Sequence, residues 1–228
     1  MRSDPDRVDC GQGVVGVGPW LDALLPNGIK AGEVVLAYGA PGVGASTLGF
    51  TVAAHCAGYG SVAWITTPGE RELDDVRRLA RRLNAHHERL SGVSVENLTD
   101  VLEFLQERRP MMCVIDRIQD LGDWQPSAVR AAFKRLLAMG RETGTILWLN
   151  SGINDRNQPY ALQRNVSDAT HVLKLDRPTS ARPTNQELPL TVSVAQSPDR
   201  ALRGQSVRLV MRFGGLFIIE RDGSTGLQ

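Results

Sequence analysis

A glycine-rich segment between an apolar run and a helix-length segment limits the possible folds of this chain. The segment is Gly39–Thr47 (G-A-P-G-V-G-A-S-T). The run before it, Glu33–Tyr38 (E-V-V-L-A-Y), predicts a buried strand, and Ser46–Ala57 predicts a helix. A strand, a tight loop and a helix in this order form the first half of a βαβ unit, in which the helix returns the chain to a parallel strand. The segment therefore favours an α/β fold.

The same alternation continues along the chain. Further buried strands are predicted at Ser61–Thr66, Met111–Asp116 and Thr145–Asn150. Helices are predicted at Glu70–Asn84, Thr99–Arg108 and Ser127–Glu142. The last third is rich in strands, at Thr170–Leu175, Leu190–Ala195, Val207–Phe213 and Leu216–Glu220. We expect a mostly parallel sheet flanked by helices, with antiparallel strands on its C-terminal side.

Composition sets the general class. The chain has 228 residues, of which 42% are apolar and 22% charged, so we expect one globular domain over residues 1–228, with a lead-in at 1–30 and a frayed tail at 222–228. The net charge of +1 gives no long-range attraction to nucleic acid. Three cysteines without a C-x-x-C pair predict neither a disulfide framework nor a zinc site, and favour the cytoplasm. No apolar run is long enough to span a membrane.

The glycine-rich segment matches the phosphate loop pattern G-x-x-x-x-G-K-[ST] at every defined position except the lysine, which is Ala45. Glycines let the backbone amides and the helix N-terminus surround phosphate oxygens, and the Ser46 hydroxyl would bind Mg²⁺. The pattern predicts ATP or ADP with Mg²⁺ as cofactors; the alternative is a plain strand-to-helix turn. The predicted nucleotide contacts in the loop are Gly39, Ala40, Pro41, Gly42, Val43, Gly44, Ala45, Ser46 and Thr47.

Ala45 removes the ammonium group that would neutralise the β- and γ-phosphates. Phosphoryl transfer depends on such fixed charges, so we expect impaired hydrolysis and weakened binding. The alanine is either the mark of a natural pseudo-ATPase or a lysine-to-alanine replacement in an active enzyme. The other loop positions still suit their roles, which favours a recent or deliberate loss.

Asp116 closes the segment M-M-C-V-I-D, in which apolar residues lead directly into an acid. A buried strand that ends in an acid presents a carboxylate at the carboxyl edge of the sheet, where it can join the Mg²⁺ shell. Ser46 and Asp116 are therefore the predicted metal-binding pair. The alternative for Asp116 is a helix cap.

Arg109–Leu121 (R-P-M-M-C-V-I-D-R-I-Q-D-L) resembles the Walker B segment of the RadA/Sms branch of RecA-like ATPases. Val15–Leu25, Leu98–Leu105 and Val207–Gly214 are similar to the same branch, so the resemblance covers most of the chain. DnaB-type helicases and KaiC are more distant. The resemblance implies a RecA-like core that assembles with copies of itself, places ATP between subunits and hydrolyses it in response to DNA. The family's zinc finger and protease-like domain are expected to be absent.

The resemblance also implies roles for individual side chains. Glu70, or next Glu72, would polarise the attacking water; the alternative is an exposed acid favoured by the helix dipole. Asn150 falls at the position of a polar sensor of the γ-phosphate. Arg212 in M-R-F-G matches an arginine that acts across a subunit interface, although the family's neighbouring lysine is replaced here, so an exposed strand arginine is the alternative.

RecA-like proteins bind DNA through loops that line a central channel, and two segments of this chain match those loops, Asn154–Asn165 and Arg177–Gln205. The alternative is solvated loops without a ligand. The candidate contacts to single-stranded DNA are Arg156, Arg164, Arg177, Arg182, Arg200 and Arg203.

Two functions from different classes follow. The first is a RecA- or RadA-like protein of DNA recombination, repair or replication whose ATPase is crippled by Ala45. The second is a non-catalytic scaffold similar to the mutagenesis accessory protein ImuA, which would bind a recombinase or DNA polymerase partner without using ATP. A small-metabolite kinase is disfavoured, because the chain has no arginine-rich lid segment.

Overall fold

A computed structural model describes residues 14–67, 78, 81, 86–121, 126–160, 166–177, 187–212 and 215–221. The α-helices whose bounds fall within these residues are α1 Ala45–Cys56, α2 Leu98–Arg108 and α3 Pro126–Thr143. The strands are β1 Val14–Val15, β2 Ile29–Lys30, β3 Val34–Gly39, β4 Val62–Thr66, β5 Leu90–Ser94, β6 Met112–Ile115, β7 Ile146–Ser151, β8 His171–Asp176, β9 Glu187–Gln196, β10 Ser206–Arg212 and β11 Gly215–Arg221.

Nine of the strands form one sheet in the order β11-β10-β9-β8-β3-β7-β6-β4-β5. Strands β8 through β5 in this order are parallel, and β9, β10 and β11 extend the sheet with antiparallel pairs. The predicted fold class, an α/β core with a mostly parallel sheet and antiparallel strands on its C-terminal side, is confirmed. β7 separates β3, which leads into the glycine loop, from β6, which leads to Asp116.

The two faces of the sheet carry separate apolar cores. On one face, α1 and the lead-in around Leu21–Leu25 pack against the strands, and eight of the twelve residues of α1 are buried. On the other face, α2 and α3 pack against Ile65, Ile115 and other buried side chains of the sheet. α1 is thus a central element whose N-terminus is fixed by packing along its length.

Local sequence explains why α2 forms where it does. Apolar residues recur at Leu98, Val101, Leu102 and Leu105, the spacing that places them on one helix face, and all four are buried. The Asn97 side chain accepts hydrogen bonds from the amides of Thr99 and Asp100, and the Asp100 carboxylate accepts a hydrogen bond from the Asn97 amide. α3 begins at Pro126, a residue whose fixed φ suits the first helical position.

The sequence did not predict β5 or the small β1–β2 ladder. β5 has the sequence L-S-G-V-S and only its first residue is buried, so it lacks the apolar density of the other parallel strands. Most of the predicted helix Glu70–Asn84 and the predicted tail at 222–228 lie outside the described residues; Arg78 and Arg81 are helical. None of the helices in the described parts of the chain has the length and apolar character needed to cross a membrane.

Candidate nucleotide-phosphate site

The glycine loop leaves β3 at the carboxyl edge of the sheet and enters α1 directly. Gly42 and Gly44 have φ of 73° and 108°, values that only glycine adopts without strain. Gly39 has no space for a side chain, because a Cβ there would lie 2.5 Å from the Leu175 carbonyl oxygen. The loop glycines are therefore required by backbone geometry and close packing.

Val43 anchors the loop to the core. Its side chain is 2% exposed and packs into the cluster beneath α1, whereas Ala40, Pro41 and Gly42 are exposed. Ala45 is half-buried and packs against the same cluster, as does Met211 of β10. The Met211 side chain reaches the loop, since a Cβ on Gly44 would lie 3.1 Å from its Cε. The loop therefore has apolar contacts where the standard pattern has a lysine.

Ser46 and Asp116, the predicted metal-binding pair, are in direct contact. The Ser46 hydroxyl donates a hydrogen bond of 2.9 Å to Asp116 Oδ1. Ser46 is exposed at the start of α1, and Asp116 is half-buried just beyond β6. The helix N-terminus and the end of β6 thus bring a hydroxyl and a carboxylate to one point on the carboxyl edge.

Asn150 lies between the two halves of this pair. It is the fifth residue of β7, it pairs with Ala37 of β3, and it is 2% exposed. Its Nδ2 donates to Asp116 Oδ1 at 2.9 Å, and its Oδ1 accepts from Trp148 Nε1 at 2.9 Å. Both ends of the Asn150 amide are therefore used within the protein, and a continuous hydrogen-bonded chain links a buried indole to the Ser46 hydroxyl.

Gly49 allows α1 to approach this chain of hydrogen bonds. A Cβ at Gly49 would lie 2.8 Å from Asn150 Nδ2 and 3.1 Å from Trp148 Nε1. Any larger residue would displace Asn150 or push the helix away from β7. Sequence reasoning missed both Gly49 and Trp148. The signal for Trp148 was present, because residues two apart on a strand face the same side of the sheet.

Arg177, which the sequence assigns to a DNA loop, lies on the glycine loop. It follows β8, the parallel neighbour of β3, and the register pairs Leu175 with Gly39. Its Nη2 donates a hydrogen bond to the Gly42 carbonyl oxygen. The Asp176 carboxylate is bound by Lys174, with 2.8 Å between Nζ and Oδ2, and this hydrogen bond raises the pKa of Lys174.

Arg156 occupies the tip of an ordered loop after β7, also at the carboxyl edge. Asn154 Oδ1 accepts from the amides of Arg156 at 2.9 Å and Gln158 at 3.1 Å, and the Tyr160 amide donates to the Gly152 carbonyl at 2.8 Å. The loop borders an open depression lined by Asn154, Asp155, Arg156 and Gln158. Arg156 therefore points out of a fixed turn close to the end of β7.

Arg200 and Arg203 lie at the opposite edge of the sheet. β9 is antiparallel to β8, so its end at Gln196 lies beside the start of β8, where Gln196 Nε2 donates to the Ala169 carbonyl at 2.7 Å. The turn that follows carries both arginines, and Arg203 Nε donates to the Ser197 carbonyl at 3.0 Å. The structure thus separates these two residues from Arg156 and Arg177 by the length of the strands.

The remaining predicted residues are described in part or not at all. Arg212 ends β10, whose direction brings its backbone to the carboxyl edge, while its side chain lies outside the described part of the chain. Glu70, Arg164 and Arg182 also lie outside the described residues, so their roles stay predictions.

The two described cysteines, Cys56 and Cys113, do not contribute to the site. Cys56 and Cys113 are buried and unpaired, and burial raises the pKa of both thiols, that of Cys56 to about 12. Neutral, inaccessible thiols are poor nucleophiles and poor metal ligands. Within the described residues, no group of three or more His, Cys, Asp or Glu side chains could hold a metal ion. As far as the described residues go, a cation at Ser46 and Asp116 would need further ligands such as phosphate or water.

Comparison with known proteins adds an independent observation. The chain is 31% identical over 101 residues to "DNA repair protein RadA" of Aquifex aeolicus, 30% over 119 residues to that of Mycolicibacterium smegmatis, and 27% over 136 residues to that of Pseudomonas aeruginosa. The chain is a relative of the RadA/Sms branch of RecA-like proteins. The expected resemblance to RadA is thereby confirmed.

The match to RadA is partial. It covers 44%, 52% and 57% of this chain, but only 22%, 25% and 30% of the three RadA proteins. The chain thus matches less than a third of the length of these relatives. No protein-family model matches the chain.

Proposed function

We propose that this chain is a RecA- or RadA-like protein of DNA recombination, repair or replication. It binds ATP or ADP with Mg²⁺ between subunits and single-stranded DNA through basic loops, and Ala45 impairs hydrolysis. The observation that carries the proposal is the junction of Ser46, Asp116 and Asn150 at the start of α1. Relatives named DNA repair protein support the pathway, and a cytoplasmic setting fits the two unpaired buried thiols.

The geometry of the junction suits Mg²⁺. Two oxygens that occupy neighbouring corners of an octahedron, each about 2.1 Å from the ion, lie about 3.0 Å apart. Ser46 Oγ and Asp116 Oδ1 are 2.9 Å apart, so both could bind one ion with little movement. Bound Mg²⁺ supplies positive charge to the β- and γ-phosphates. Ser46 and Asp116 would hold it, and Asn150 fixes the orientation of the carboxylate.

The loop would bind phosphate through its backbone. The amides at the start of α1 have no partner within the helix, and the helix dipole places partial positive charge there. Without a lysine at position 45, the loop lacks the cation that strengthens this attraction as charge develops during transfer. The loss of one such fixed donor typically slows an enzyme by about 100-fold or more. We therefore expect binding without efficient turnover.

The test is steady-state ATP hydrolysis with and without single-stranded DNA. The unchanged chain, Ala45→Lys and Ala45→Met are compared, because methionine is close to lysine in length but uncharged. Turnover in Ala45→Lys alone, stimulated by DNA, supports the proposal. Absence of turnover in all three proteins contradicts the ATPase part of it.

A second candidate function is a scaffold that binds a recombinase or translesion polymerase partner without using ATP. Two observations favour it. Ala45 packs against the apolar cluster that also contacts Met211. Both ends of the Asn150 amide form hydrogen bonds with other protein groups, so neither end is reserved for a phosphate. Equilibrium binding of ATP distinguishes the two functions, since a scaffold of this kind binds none.

A further inference from the structure

The guanidinium of Arg177 places a positive charge beside the glycine loop. β8 runs parallel to β3 with Leu175 beside Gly39, so two more residues place Arg177 beside the loop that begins at Gly39. Its guanidinium donates to the Gly42 carbonyl, and a Cβ on Gly42 would lie 3.5 Å from Arg177 Nη2. The position of this charge is thus set by the pairing of two core strands.

The charge of Arg177 is available to a ligand. The acid next to it in sequence, Asp176, is held by Lys174, and among the described residues no carboxylate forms an ion pair with Arg177. A guanidinium carries five N–H donors, and the contact to Gly42 uses one nitrogen. Arg177 is exposed at the mouth of the loop, and its other nitrogens make no hydrogen bond to the described residues.

We propose that Arg177 acts as the phosphate-binding cation of this loop, in place of the side chain that is missing at position 45. A polyphosphate seated on the loop amides would accept hydrogen bonds from the free face of the guanidinium while the contact to Gly42 holds the arginine in position. Arginine suits this role because its planar group can bind two phosphate oxygens at once. The inference rests on the proposed binding of nucleotide and specifies its source of positive charge.

The test measures the binding of ATP and of tripolyphosphate, each with Mg²⁺, to the full chain by titration calorimetry at low salt. Arg177→Gln keeps a polar N–H donor but removes the charge, and Arg177→Lys keeps the charge. Arg200→Gln is the matched control, because it makes the same change at the opposite edge of the sheet. We expect Arg177→Gln to weaken both ligands by about tenfold or more, Arg177→Lys to recover most of the loss, and Arg200→Gln to bind normally.

Three results would overturn the inference. If Arg177→Gln binds ATP as tightly as the unchanged chain, nucleotide binding stands and only the role of Arg177 fails. If Arg177→Gln and Arg177→Lys weaken binding equally and melt at the same lowered temperature, Arg177 is a clamp for the loop rather than a ligand for phosphate. If the unchanged chain binds neither ATP nor tripolyphosphate, the proposed nucleotide binding fails together with the inference.

Discussion

Ser46 and Asp116 are 70 residues apart in the sequence, yet Ser46 Oγ lies 2.9 Å from Asp116 Oδ1. The contact exists because β6 and β3 are separated by a single strand, and because α1 crosses above that strand after leaving the glycine loop. Asn150, on the intervening strand β7, donates to the same carboxylate oxygen. The three adjacent strands β3, β7 and β6 therefore together determine the position of Asp116 Oδ1.

Replacement of Asp116 with Asn should remove the Mg²⁺-dependent part of nucleotide affinity. An amide is a poor ligand for Mg²⁺ compared with a carboxylate, so ATP should bind about tenfold or more weakly in Mg²⁺ and unchanged in EDTA. Titration of ATP in both buffers measures the difference. Asp199→Asn is the control, since Asp199 lies at the opposite edge and caps Ala201. Equal Mg²⁺ dependence in Asp116→Asn and the unchanged protein would exclude the carboxylate as a ligand.

Replacement of Gly49 with Ala should destabilise the fold by about 1–3 kcal/mol, because the new methyl group overlaps Asn150. The free energy of unfolding, measured with urea, tests this expectation. Gly16→Ala is a suitable control, since among the described residues a Cβ there meets only the Tyr59 hydroxyl, at 3.6 Å. A neutral effect of Gly49→Ala would mean that α1 can shift away from β7 at little cost.

Replacement of Trp148 with Phe should leave Asn150 Oδ1 buried without its donor. A buried acceptor that loses its partner costs about 1–3 kcal/mol, and Asn150 would be free to rotate away from Asp116. Trp64→Phe removes a similar volume from a side chain that packs on Phe50 and makes no hydrogen bond to the described residues. The difference in unfolding free energy between the two variants isolates the hydrogen bond, and equal losses would assign the effect to packing alone.

If single-stranded DNA follows the carboxyl edge of the sheet, replacement of Arg156 with Gln should weaken DNA binding, whereas Arg200→Gln should not. The two residues lie at opposite edges of the sheet, so a DNA strand that follows the carboxyl edge passes Arg156 and does not reach Arg200. Loss of one phosphate contact should lower affinity a few-fold and reduce the salt dependence by about one unit. Fluorescence anisotropy with a labelled oligonucleotide at several salt concentrations measures both. A larger effect from Arg200→Gln would place the DNA at the opposite edge, where the parallel strands begin.

Much of this arrangement was predictable from the sequence. The four strands β3, β4, β6 and β7 follow from apolar runs in the sequence. The contact between Ser46 and Asp116 follows from the run that leads into the glycine loop and the run that ends in Asp116, because parallel strands bring their carboxyl ends to one edge. The pairing of strands was not predictable, because an apolar run indicates that a strand is buried but not which strands lie beside it. The sequence therefore predicted a DNA contact for Arg177 and gave no sign of its position beside the glycine loop, which follows from the register of β8 against β3.

The limits of the sequence are clearest for buried polar groups. Asn150 was expected to face a phosphate, and its 2% exposure and two protein partners became visible only with Trp148 and Asp116 in place. β5 escaped prediction because it is an edge strand with a weak apolar pattern. Periodicity reports which side of an element is buried, but a hydrogen bond between two elements depends on their distance.

The buried side chain of Val43 decides how the loop can move. A loop that is exposed on both sides can swing over a ligand as a lid, but this loop is held at its centre by a residue that packs in the core. Lifting it would expose that valine to water and cost about 1.5–3 kcal/mol. The glycine loop therefore favours one position before any ligand arrives. Closure around a bound nucleotide would have to come from elsewhere, for example from side chains at the rim such as Arg177 or from a second molecule.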